Sequence, residues 1–235
     1  MTGEQVARDL HYSMTANSHD GNDYGNSYVE INLTAQHLFL YVDGALILES
    51  DFVSGNASKS YNTPTGAYGL TYKTKNATLR GADYATPVDY WMPFNGNVGM
   101  HDATWRDDFG GSIYKRNGSH GCINLPHSSA KTIYQYINAG FPVLVYELAG
   151  TESAKGIAQD QAYAVTKQIK AIGTVSLESE AAILNARASY DALSDTAKKY
   201  VSNYQVLLDA EAALAALKVP VDTTVDTTVD TQTGM

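Results

Sequence analysis

Ser119-His120-Gly121-Cys122-Ile123-Asn124 is the stretch on which the reading of this chain turns. It holds the only cysteine among 235 residues. A second histidine, His101, lies upstream, with seventeen residues between it and Ser119. A free thiol has a pKa of about 8.5 and is only a few per cent thiolate at neutral pH, so it needs a base to become a nucleophile. An imidazole within reach takes that proton and later returns it to a leaving amine. A glycine beside the nucleophile lets backbone approach a substrate and leaves N–H groups to face an oxyanion. If the motif continues a strand leading into it, His120 and Cys122 share a face, which brings His120 near the thiol as well.

Local signals around the motif place it between a strand and a helix. Pro126 suits a first helical turn, and Ala130, Ile133, Tyr134 and Ile137 recur on one face, so a helix is expected over 126–140, closed by Gly140. Its N-terminal dipole would favour a thiolate and an oxyanion alike. Phe141 to Glu147 reads as a closing strand. Upstream, residues 26–55 read as strands. Val29, Ile31 and Leu33 alternate with polar neighbours, and Asp43-Gly44 between two apolar runs signals a type I′ hairpin. Thr63-Pro64-Thr65-Gly66 is a turn that leads into a further strand. Residues 74–118, rich in Gly, Tyr and Asn, read as irregular, and a connection that long is expected to bind or catalyse.

His, a spacer of this length, and then Ser-His-Gly-Cys-hydrophobic-Asn resembles the signature of the L,D-transpeptidase (YkuD-like) catalytic domain. The likeness runs over about residues 26 to 148 and takes in Tyr28 to Leu33, Gln36-His37-Leu38, Asp43-Gly44, Thr63 to Gly66 and Trp91 to Phe94. The resemblance implies an α+β fold: a β-rich mixed sandwich with a helix after the nucleophile. It implies a peptidoglycan substrate, Cys122 as nucleophile and His101 as base. Cys122 would attack the third-residue carbonyl of a donor tetrapeptide stem and release D-alanine. An acceptor amine from a neighbouring stem would then resolve the thioester into a 3→3 cross-link. Water in place of that amine would make the same site an L,D-carboxypeptidase. Susceptibility to β-lactams of the carbapenem class is implied too.

The remaining site residues are assigned around this core. Gly121 and Ser119 form the oxyanion loop, with the N–H groups near Gly121 and Cys122 as donors. His120 is a structural or substrate-contacting partner of the thiol. Asn124, Trp105, Trp91 and Met92 are expected to bind substrate, the tryptophans as walls of the donor cleft, with Trp105 favoured by the resemblance. Asp102 is a candidate to orient an imidazole. Cys122, His101, His120 and His127 are zinc-ligand types, but their spacing matches no structural zinc pattern, so no metal or cofactor is expected. A reading from a different class is a cell-wall binding or adhesion protein with an inactive catalytic domain.

Composition bounds these readings. A content of 44% hydrophobic and 17% charged residues fits a globular chain. A formal net charge of −9 argues against a nucleic-acid partner. One cysteine excludes an internal disulfide. The family works outside the cytoplasmic membrane, so the expected location is the extracellular face of the envelope of a Gram-positive bacterium, with this chain a fragment of a longer exported or anchored protein.

Aromatic content drops after Gly150. Residues 1–150 hold both tryptophans, all five phenylalanines and thirteen of seventeen tyrosines. Four parts are expected: a linker or end of a preceding domain over 1–25, the catalytic domain over 26–149, an alanine-rich three-helix bundle over 150–218, and a disordered Val-Asp-Thr-Thr repeat tail over 219–235. The bundle's helices are expected over 153–172, from Ser179 to Leu193, and from Asn203 to Lys218, with Leu207, Leu208, Leu214 and Leu217 inward and Ser194 capping a short turn. It resembles the small helical repeats of Gram-positive surface proteins, which implies a spacer or a docking module for a surface-protein partner.

Overall fold

The computed structural model describes residues 26–81 and 84–219. The expected N-terminal linker, and the repeat tail beyond Val219, lie outside the described residues. Contacts divide the chain into two compact units between Asp160 and Gln161.

The first unit is built on two sheets. One contains β1 (Tyr28–Asn32), β2 (His37–Val42), β3 (Ala45–Asp51), β4 (Gly66–Gly69) and β9 (Pro142–Tyr146), in the order β3-β2-β1-β9-β4. The other contains β5 (Thr74–Arg80), β6 (Ala85–Asn95), β7 (Val98–Asp102) and β8 (Ile123–Leu125), in that order. Two pairs are parallel, β1 with β9 and β7 with β8. Helix α1 spans Tyr114–Asn117 and α2 spans His127–Tyr136.

Val29, Ile31, Leu38, Leu40, Phe52, Met92, Met100, Ile123, Leu125, Ile133, Val143 and Val145 make one continuous core. Period-two alternation supplies the sheet residues and the apolar face of α2 the rest. β1 is central in its sheet, and its other face is covered as well. There Tyr28 packs with Leu144, and the Tyr146 hydroxyl donates to the buried Glu30 carboxylate. The Asp43-Gly44 hairpin has the expected form, with φ of 50° and 81° at its two central residues.

Two expectations are corrected here. The stretch 74–118 is not an irregular loop; it carries β5, β6, β7 and α1. β5 is a polar edge strand without apolar alternation, and β6 contains Pro87 and Pro93, residues that argue against a strand. Pro93 is accommodated beside a register shift between Pro93 and Asn95. Helix α2 also stops at Tyr136 rather than at Gly140, because Ile137 is extended with φ −98° and ψ 151°. Gly140, at φ 85°, sits instead in the following turn, where Phe141 N–H donates to Asn138 O.

Helix α3 (Ala154–Ala171) begins in the first unit. There Lys155 pairs with Asp108 and donates to Phe109 O at 2.7 Å. Gln159 accepts from Ser112 N–H at 2.7 Å, and Asp160 pairs with Lys115 and Arg116 at 2.5 and 3.3 Å. In the second unit the rest of α3, α4 (Glu180–Asp191), the short α5 (Asp195–Lys198) and α6 (Tyr204–Lys218) enclose Val165, Ile169, Ile183, Ala186, Val201, Leu207 and Leu214. The Ser194 hydroxyl caps α5 by accepting from Ala197 N–H. Leu217, expected inward, is half exposed, since the helix turns it away from the face shared by Leu207, Ala210 and Leu214.

Candidate active site

Strand register brings the chemistry together. β7 and β8 pair in parallel, with Met100 opposite Ile123 and His101 opposite Asn124. Alternation sends Met100 and Ile123 into the core, both fully buried. It sends His101, Cys122 and Asn124 to the other face, where all three line a cleft of about 260 Å³.

The expected strand lies on the wrong side of the cysteine. β8 follows Cys122, and residues 119–122 form a bent loop before it. His120 is therefore not one strand period from the thiol. It is exposed, with its ring clasped between Tyr61 and Tyr84 at centroid distances of 4.8 and 4.9 Å.

The loop is held from three sides. Ser119 Oγ donates to Cys122 O at 2.6 Å and accepts from Gly121 N–H at 3.0 Å. Thr63 Oγ1 donates to Gly121 O at 2.7 Å and accepts from Gly55 N–H at 3.1 Å. Residues 53–56 splint the motif along its length. Val53 and Asn124 exchange two main-chain bonds of 2.9 Å, Ser119 N–H donates to Ser54 O, and Asn56 N–H donates to Ser119 O. Gly121 has φ +125°, a conformation that side chains disfavour. Gly118 lets the backbones meet, because a Cβ there would lie 2.6 Å from Asn56 Cα. Ser119 thus engages the Gly121 N–H, which removes that amide as an oxyanion donor and leaves the Cys122 N–H as the loop amide not held by its hydroxyl.

Electrostatics set the resting protonation. His101 Nδ1 lies 2.8 Å from Asp102 O. A carbonyl only accepts, so Nδ1 carries the proton and Nε2 is the basic nitrogen of the neutral ring. Asp102 does orient the imidazole, but through its main-chain carbonyl; its carboxylate accepts from Tyr90 N–H at 2.8 Å. Burial pushes the His101 pKa down; the bond to Asp102 and its charge oppose that shift, and nearby Arg106 adds to it. Burial pushes the Cys122 thiol up, and the Gly99 N–H offsets part of that rise. The thiol lies 3.5 Å from Asn97 O. A thiolate favoured by the helix dipole is not what results, because β8 and Pro126 separate Cys122 from the start of α2. The resting pair is a neutral thiol and a neutral imidazole.

The expected substrate contacts divide. Trp105 is 49% exposed and lines the cleft, its ring 5.9 Å from that of His101. Asn124 lines the cleft and is buried. Trp91 is buried opposite His101 in β6, with its ring 6.0 Å from the imidazole and its Nε1–H donating to Tyr72 OH, so it backs the base. Met92 is fully buried in the core and forms no wall of the cleft. Leu79, Tyr84, Thr86 and Arg106 line the cleft without having been expected. Arg106 directly follows Trp105, and that adjacency is the one signal that would have found it. Among the described residues, the metal-capable side chains that converge are Asp89, Asp102 and His127, with ligand atoms within 4.8 Å of one another. That set contains neither Cys122 nor His101, and His127 Nε2 already lies 2.9 Å from Asp89 Oδ2.

Comparison with known proteins bears on the same residues. The family model for the YkuD L,D-transpeptidase catalytic domain matches residues 26–145. L,D-transpeptidase 2 of Mycobacterium tuberculosis is 27% identical over 99 residues, which is 42% of this chain and 22% of that protein. The chain thus matches about a fifth of the length of that curated relative. The crystal structure of a cysteine-to-serine mutant of the Enterococcus faecium L,D-transpeptidase is 41% identical, covering 52% of this chain and 50% of that one, with a TM-score of 0.49. The solution structure of the catalytic domain of the E. faecium enzyme acylated by ertapenem is 41% identical, covering 52% and 97%, with a TM-score of 0.47. With the family's matched span reaching across both sheets, from β1 to β9, and holding His101 and Cys122 on one cleft face, this chain belongs to the YkuD family of L,D-transpeptidase catalytic domains.

Proposed function

We propose that this chain is a peptidoglycan L,D-transpeptidase that forms 3→3 cross-links through a thioester on Cys122. The observation that carries the reading is the shared cleft face of Cys122 and His101, with the imidazole's Nδ1 proton committed to Asp102 O and Nε2 left basic. As Sγ bonds to the third-residue carbonyl carbon of a donor stem, its proton passes to Nε2. The Cys122 N–H faces the developing oxyanion, a contact of about 2.7–4 kcal/mol in comparable sites. The carbon–nitrogen bond to D-alanine then breaks, and the proton on Nε2 goes to the departing amine. An acceptor amine attacks the thioester and His101 takes its proton; the carbon–sulfur bond then breaks, and that proton passes from Nε2 to Sγ, restoring the neutral thiol and imidazole.

Family membership and the place of Cys122 in the cleft lining support its covalent acylation by a carbapenem. The substrate would place the protein at the outer face of the cell envelope, with the helical unit as a spacer or a docking module for a surface partner. The test is mass spectrometry of disaccharide-tetrapeptides incubated with the protein and with Cys122→Ala. Dimers lacking one D-alanine, absent from the variant, are the expected result. Tripeptide alone would make the protein an L,D-carboxypeptidase, and no turnover of either lysine or diaminopimelate stems would overturn the reading in favour of wall binding.

A further inference from the structure

Among the described residues, Arg106 in the wall of the cleft is a cation with no carboxylate paired to it. It stands with His101, Trp105, Cys122 and Asn124 around the same cavity. Its Nε is buried and has no hydrogen-bond partner, and no carboxylate among the described residues pairs with the guanidinium. Of the acids beside it in the chain, Asp108 holds Lys155, Asp102 accepts from Tyr90 N–H, and Asp107 is exposed. Several surface lysines share that lack of a carboxylate; what sets Arg106 apart is that its Nε is buried and that it lines the cleft. A partly desolvated guanidinium is a fork of donors suited to a planar anion, and leaving it unpaired has a cost that a ligand removes.

A second feature points to the same ligand. The Asn124 side-chain oxygen is buried and lacks a partner, and Asn124 is 3% exposed beside the cavity. An orphaned acceptor there calls for an N–H donor from whatever occupies the cleft. A carboxylate for Arg106 and an amide N–H for Asn124 together describe a peptide bearing a free carboxyl group near its reacting bond.

We propose that Arg106 and Asn124 form a carboxylate-and-amide subsite that selects stem peptides carrying a free carboxylate beside the scissile bond. This deepens the transpeptidase reading and rests on it. The carboxylate has two sources in a stem. It is either the C-terminal carboxylate of the departing residue or a carboxylate on the third residue's side chain, as in diaminopimelate but not lysine.

The experiment measures kcat/KM for the full chain and for Arg106→Gln and Arg106→Lys on four tetrapeptide stems. These combine a C-terminal acid or primary amide with lysine or diaminopimelate at the third position. Binding of the same stems to Cys122→Ala, with and without Arg106→Gln, is followed by tryptophan fluorescence. A charge-assisted contact predicts that Arg106→Gln loses about 10- to 100-fold on the stem bearing the recognised carboxylate and little on its neutral counterpart. Arg106→Lys should keep part of that preference. A collapse of the acid-to-amide ratio assigns the C-terminal group, and a collapse of the diaminopimelate-to-lysine ratio assigns the side chain. If wild type turns over stems but Arg106→Gln lowers all four alike, or none, the subsite is wrong and the transpeptidase reading stands. If wild type neither binds nor turns over any stem, both fall.

Discussion

Thr63→Val tests whether the nucleophile loop is held from outside the motif. The substitution keeps the shape of the side chain and deletes one hydroxyl. That hydroxyl donates to Gly121 O at 2.7 Å and accepts from Gly55 N–H at 3.1 Å, at a residue only 5% exposed. Both main-chain partners would lose their bond in a place water does not reach. Each unsatisfied buried group costs about 1–3 kcal/mol, so the pair should destabilise the catalytic unit by about 2–6 kcal/mol. For a chain of this size that is a fall of about 4–24 °C in its melting temperature. Activity should fall further than stability explains at assay temperature, because the Gly121 carbonyl adjoins the Cys122 amide and sets its direction. The assay pairs thermal unfolding with the rate of Cys122 alkylation by iodoacetamide and with stem turnover. Thr63→Ser, which keeps the hydroxyl, should retain most of both. Melting of Thr63→Val within a degree or two of wild type, or a Ser variant as impaired as the Val variant, would refute the reasoning.

Gly121→Ala has room for its methyl group, whose nearest neighbour is Val98 Cγ2 at 3.5 Å, but at φ +125° it should cost about 1–3 kcal/mol and lower turnover more than tenfold, read by denaturant unfolding beside kinetics. Because burial lowers the His101 pKa, the acid limb of kcat/KM should lie below the ordinary imidazole value of about 6.5, with activity lost as pH falls through it; in Arg106→Gln that limb should move to higher pH. Alkylation of Cys122 should rise with pH through a midpoint above the ordinary thiol value, since burial raises it. In the helical unit, Arg187 makes two 2.6 Å bonds to Glu211 and a third to Tyr204 OH at 3.1 Å, so Arg187→Met should destabilise that unit by about 1–2 kcal/mol in urea unfolding, and Glu211→Gln by less.

The parts legible in the sequence are those written in local signals. The Asp43-Gly44 turn, the Ser194 cap and the apolar stripe of α2 each depend on residues a few positions apart. The pairing of His101 with Cys122 was legible through resemblance, and strand register then explains it. What could not be read is held by distant partners. Ser54-Gly55-Asn56 is turn chemistry by composition, yet residues 53–56 splint the motif through main-chain bonds that carry no side-chain signature. β5 and β6 escaped because a polar edge strand and a bulged strand with two prolines lack alternation. The apolar run around Met92 suits a cleft wall as well as a core, and the side of β6 that Met92 takes puts it in the core. Nothing in the sequence says that the Gly121 amide is engaged by Ser119 rather than left to face an oxyanion.

The first turns of α3 have a consequence for inheritance. Lys155, Gln159 and Asp160 fasten residues 108–116, the span between Arg106 and the nucleophile loop, yet all three lie beyond the end of the family's matched region at residue 145. A recombination event that exchanged the helical unit at residue 150 would carry this fastener away with the wrong partner. One that cut after Asp160 would leave the cleft's supporting span intact. The segment that must be passed on together is therefore longer than the family's common core, and lineages that shuffle their helical appendages should keep residues 108–116 and 155–160 as a co-varying set.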